Sequence, residues 1–84
     1  MTTKPLDPKQ VRLVAENTRR WVLSPDGQAE QGRISAKYGY SDGWFLSYAA
    51  MKVHPTLRRF EDIAAVVEEI RIMRRAEAVS RRRA

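Results

Sequence analysis

The side chains of this 84-residue chain best suited to acid–base chemistry are two carboxylate pairs, Glu61-Asp62 and Glu68-Glu69, and the single histidine, His54. Neither pair has the company that such chemistry needs. Neighbours in sequence on a helix point to different sides of it, so adjacent carboxylates read first as a solvated face. His54 stands before Pro55, a loop setting, and no serine or aspartate lies at a spacing that would make it a general base. The sequence has no glycine-rich phosphate loop and no cysteine, and one histidine leaves no ligand set for a structural zinc. The residues therefore predict a protein that is not an enzyme and carries no metal and no cofactor.

Charge points toward binding instead. Lysine and arginine number 16 against 10 acids, a formal net charge of +6. Such a balance favours polyanions, nucleic acid or an acidic protein surface among them. The segment "MTTKPLDPKQ" lacks the apolar stretch of a signal peptide. No run approaches the roughly 20 apolar residues that span a bilayer. The expected setting is cytoplasmic, with no membrane partner. A chain this short buries a small core, so a second copy would help to stabilise it.

The elements that would position a binding surface follow from caps and periodicity. Residues 1–6 read as a flexible tail. Asp7 can cap a helix, Pro8 suits its first position and Gln10 completes a capping box. Val11, Val14, Ala15, Thr18, Trp21 and Val22 then recur on one helix face. Ser24-Pro25-Asp26-Gly27 reads as a turn, followed by a second helix from about Ala29 to Tyr38. Gly39 suits the left-handed position after a helix end, and Ser41 or Asp42 can cap a third helix reaching Met51 or Lys52.

From Thr56 onward the pattern is helical, with Leu57, Phe60, Ile63, Ala64, Val67, Ile70 and Met73 as its apolar stripe. The stripe fades past Ala76. The expected organisation is one domain over residues 7–76 and a frayed basic tail over 77–84. The fold class is thus all-α, a small bundle of four or five helices. The alternative is an α+β fold in which Ile34, Ala36, Tyr38 and Tyr40 begin a hairpin around residues 33–53.

Residues 31–67, "QGRISAKYGYSDGWFLSYAAMKVHPTLRRFEDIAAVV", resemble the helix-turn-helix of the Cro and lambda-repressor-like, or Xre-type, regulators. Gln31 matches the glutamine that opens the second helix, Ile34 and Tyr38 its core positions, Ser35 its small residue and Gly39 its turn glycine. Tyr40 matches the buried residue after the turn, and Ser41 the start of the recognition helix. Phe45 and Tyr48 match the residues that tie that helix to the core. Lys52, Pro55 and Leu57 match the following loop, and Phe60, Ile63, Ala64 and Val67 the packing face of the fourth helix.

The resemblance implies a sequence-specific DNA-binding transcriptional regulator, a small repressor acting as a homodimer on a two-fold operator in double-stranded DNA. Gln31 would bond a phosphate and brace the recognition helix. Asp42, Gly43, Trp44, Leu46 and Ser47 would face DNA beside Ser41. Arg33, Lys37, Lys52, Arg58 and Arg59 would meet phosphates. Val66, Ile70 and Met73, beyond the first turns of the last helix, are the expected dimer interface. A rival reading uses the same residues differently. Trp44 and Leu46 on an exposed face, with basic neighbours, suit a small protein-binding module such as a phage-encoded inhibitor of a host protein.

Overall fold

Asp7 opens the first helix as its sequence anticipates. Its carboxylate accepts the Gln10 N–H at 2.8 Å, and the Gln10 side chain accepts the Asp7 N–H at 3.1 Å. Pro8 takes the first helical position, where no amide hydrogen is needed. The computed structural model describes residues 5–39 and 41–83, with Asp42 and Arg83 described by backbone alone. Among them run α1 (Pro8–Leu23), α2 (Pro25–Tyr38), α3 (Asp42–Val53) and α4 (Phe60–Arg83). The all-α bundle is present, and no strand occurs among the described residues. The alternative hairpin around residues 33–53 is not adopted, because 33–38 and 42–53 are helical.

Several boundaries differ from expectation. The second helix begins at Pro25 and not near Ala29. Ser24 ends one helix and starts the next: its N–H donates to the Trp21 carbonyl at 3.0 Å, and its Oγ accepts the Gly27 N–H at 3.1 Å. Serine, proline and an acid in sequence serve a helix start as well as a turn. Gly27 is required there by proximity, since a Cβ on it would lie 1.9 Å from the Trp21 carbonyl oxygen. The corner between α1 and α2 is therefore tight.

The last helix begins at Phe60 and not at Thr56, and it continues to Arg83. Glu77 explains part of that extension by pairing with Arg19 of α1. Which residues it buries differs too: Phe60 and Ala64, expected on the packing face, are exposed, while Asp62, Val66, Val67 and Ile70 are buried. At the other end, Leu6 is no loose tail. Its N–H donates to Asp62 Oδ1 at 3.1 Å, and its side chain packs on the core.

The core lies where α1, α3 and α4 meet. Val14, Ala15 and Val22 from α1 face Phe45, Leu46, Ala49 and Ala50 from α3, closed by Val66 and Ile70 from α4. Each large side chain fully removed from water here contributes about 1.5–3 kcal/mol. Helix α2 packs on α1 and sends Ile34 into the core. The contacts Leu6 to Asp62, Arg12 to Glu69 and Arg19 to Glu77 advance together, so α1 and α4 run side by side in the same direction.

Candidate binding surface at the α2–α3 elbow

Gly39 makes the elbow. Its φ of 65° and ψ of 140° lie where side chains with a Cβ are strained, and its N–H donates to the Ser35 carbonyl at 3.1 Å. Ser41 then caps α3, its Oγ accepting the Trp44 N–H at 3.2 Å. Tyr38 and Trp44, on opposite sides of this turn, are 69% and 50% exposed. With Gly39 and Ser41 they line an open, largely apolar cleft of about 450 Å³.

Behind Trp44, rings step inward to the core. Trp44 stacks on Tyr48 with centroids 5.7 Å apart, Tyr48 leans on Phe45 at 6.1 Å, and Phe45 stacks on Trp21 at 6.2 Å. Phe45 is fully buried, so this ladder ties a surface ring to the interior. The Tyr48 hydroxyl donates to Glu30 Oε1 at 3.1 Å, linking α3 to α2. Glu30 also pairs with Arg33. That Arg33 hydrogen bond is the main reason the Glu30 carboxyl is held below its ordinary range; desolvation opposes it, and the Tyr48 hydroxyl and the charges of Arg33 and Lys52 add to it. The same bond holds Arg33 more firmly protonated.

Cations flank the aromatics. Lys37 Nζ lies 5.2 Å from the Tyr38 ring centroid, and Lys52 Nζ lies 5.7 Å from that of Trp21 and 5.9 Å from that of Tyr48. Met51, two turns beyond Trp44 on the same helix, is exposed as well.

The expected site residues are only partly brought together. Lys37, Ser41 and Trp44 lie at the elbow and are exposed, Arg33 is exposed but lines a separate hollow with Trp21, Glu30 and Lys52, and Gln31 is half-buried on α2. Leu46, expected to face DNA, is fully buried in the core. The face of α3 that turns inward carries Phe45, Leu46, Ala49 and Ala50, and burying this doublet pattern rotates Leu46 away from solvent. Tyr38, expected in the core, is outside, and so is Ser35, because α2 packs on α1 and does not lie flat on α3.

Gly43 is half-buried with the Arg71 guanidinium close by, 2.7 Å from where a Cβ would sit. Ser47 donates its hydroxyl to the Gly43 carbonyl at 3.0 Å, within its own helix. Tyr40 and the side chain of Asp42 lie outside the described residues. Arg58 is exposed and Arg59 pairs with Glu61, both in the segment after the far end of α3. They belong to a different surface from the elbow.

Two of the three expected dimer residues turn inward. Val66 and Ile70 are fully buried within the single chain, and Met73 packs against the same core. They hold α4 to its own domain. Tyr48 and Met51, outside the expected site, accompany Trp44. The signal was present, since residues 44, 48 and 51 follow the four-then-three step of one helix stripe.

Comparison with models of known protein families, with curated proteins and with solved structures finds no significant match. Among the described residues, no group of three or more His, Asp or Glu side chains could hold a metal ion, and no helix is long and apolar enough to cross a membrane.

Proposed function

We propose that this chain is a small protein-binding module whose α2–α3 elbow grips an apolar side chain on the partner. The observation that carries this is the half-exposed Trp44, braced by Tyr48 and facing Tyr38 across a cleft. Rigid aromatics that keep one face dry and one face open are the side chains on which interface energy concentrates, and methionine is enriched beside them. Lys37 and Lys52 at the margins favour a partner with carboxylates around the apolar contact.

The outward face of α3 supports this reading over major-groove readout. It offers no arginine, asparagine or glutamine to bond base edges; Leu46 is buried and the Ser47 hydroxyl is engaged by Gly43. A photo-crosslinking residue in place of Met51 tests the proposal in the source cell. It should capture a partner protein, and adding Trp44→Ala should abolish the capture.

A second reading, the homodimeric DNA-binding repressor that residues 31–67 resemble, is favoured by two observations. One is the net charge of +6. The other is the short elbow with a positive-φ glycine and a serine-capped helix at the positions the resemblance assigns. Its test is fluorescence anisotropy with the duplex upstream of the gene and a scrambled duplex, at about 50 and 200 mM salt. Preferential binding that persists at the higher salt would favour it.

A further inference from the structure

A separate surface runs along α4, on the side away from the core. Glu61, Ala65, Glu68, Ile72, Ala76 and Val79 follow one another at steps of three and four, which sets them in one stripe. Ile72 and Val79 are 46% and 51% exposed, and both alanines are exposed too. Beside the stripe, Leu23, Ile72, Met73 and Ala76 floor an open groove of about 790 Å³ between α1 and α4. Two exposed large apolar side chains, with two exposed alanines between and beside them, mark an interaction face.

Charge identifies that partner. Residues 60–69 carry Glu61, Asp62, Glu68 and Glu69 with no cation, whereas residues 70–83 carry six arginines against Glu77 alone. A helix polarised in this way attracts a copy of itself running in the opposite direction and repels one running in the same direction. On the rim of the groove, Glu16 and Arg20 have no ion-pair partner among the described residues.

We propose that a second copy of this chain covers the groove, with the two α4 helices antiparallel about a two-fold axis at Ile72. The register follows from the stripe. With Ile72 against its own counterpart, Ala65 meets Val79 of the second copy, and each acidic half lies along a basic half. Every such contact is made twice, as two-fold symmetry requires. The stripe from residue 61 to residue 79 is about 27 Å long. The inference uses no residue of the elbow and does not depend on what the elbow binds.

The chain has no cysteine, so single cysteines report the pairing directly. Light scattering of the full chain at about 100 μM, above the Kd expected of such an interface, should give twice the chain mass. Ile72→Glu should give a monomer with unchanged helical circular dichroism. Ile72→Cys should oxidise readily to a linked dimer and Val79→Cys alone should not, while Ala65→Cys mixed with Val79→Cys should link across. A monomeric wild type would overturn the proposal. Linking of Val79→Cys as fast as Ile72→Cys would overturn the antiparallel arrangement.

Discussion

The Trp44 and Tyr48 rings are stacked 4° from parallel, with 5.7 Å between centroids. One ring is half-exposed and the other hydrogen-bonds Glu30 on the neighbouring helix, so the stack connects the surface to the joint between α2 and α3. A side chain held in this way loses little rotamer freedom on binding.

Trp44→Ala should therefore separate binding from folding. Loss of the stack should cost about 1–2 kcal/mol, a shift in Tm of roughly 4–16 °C for a domain of this size, with helical content retained. Thermal melts by circular dichroism measure the first effect, and partner capture measures the second.

Leu46→Ala should behave in the opposite way. Leu46 is fully buried, so truncation leaves a cavity and should cost about 2–5 kcal/mol, whereas Ser47→Ala should stay within about 1 kcal/mol. Urea unfolding of the two variants checks the difference. Equal, small effects would place Leu46 on the surface.

The two structural glycines should differ in cost. At Gly39 an added Cβ meets open space but a strained backbone, and Gly39→Ala should cost about 1–2 kcal/mol. At Gly27 the Cβ would strike the Trp21 carbonyl, so Gly27→Ala should cost more and shift the α1–α2 corner. Denaturant midpoints of the two variants, compared directly, decide it.

Acid should loosen the Glu30–Arg33 pair on α2. The Glu30 carboxyl is depressed chiefly by the Arg33 hydrogen bond, so the folded state binds its proton less readily than the unfolded state does. Its contribution is complete above the unfolded value, about 4.3, and is lost as pH falls through the lower folded value. The difference in Tm between wild type and Glu30→Gln should shrink from about pH 6 to about pH 3. A gap that stays constant would show that Glu30 adds nothing pH-dependent.

Much of this fold is legible in the sequence because its helix starts are written in short-range chemistry. The Asp7-Pro8-Gln10 box and the Ser41 cap depend only on residues within one turn, and both form. What stayed illegible depends on packing between distant segments. Ser24-Pro25 fits a turn or a helix start equally well, and the approach of α1 at Gly27 decides between them. On α3 the run Trp44-Phe45-Leu46 offers three apolar neighbours, and only the positions of α1 and α4 determine that the last two turn inward. On α4 one apolar series faces the core and another faces outward. The expected stripe held Phe60 and Ala64 beside Ile70 and left Val66 off it for a dimer, whereas Phe60 and Ala64 are exposed and Val66 is buried beside Ile70.

Whether the elbow binds a protein through Trp44 is decided by comparing two variants that carry the crosslinker at position 51. With Trp44→Ala, capture of the partner should disappear; with Lys37→Ala and Lys52→Ala together, it should fall only several-fold. Capture that survives Trp44→Ala, or crosslinks that form mainly to nucleic acid and vanish with the lysines, would rule out protein binding through Trp44.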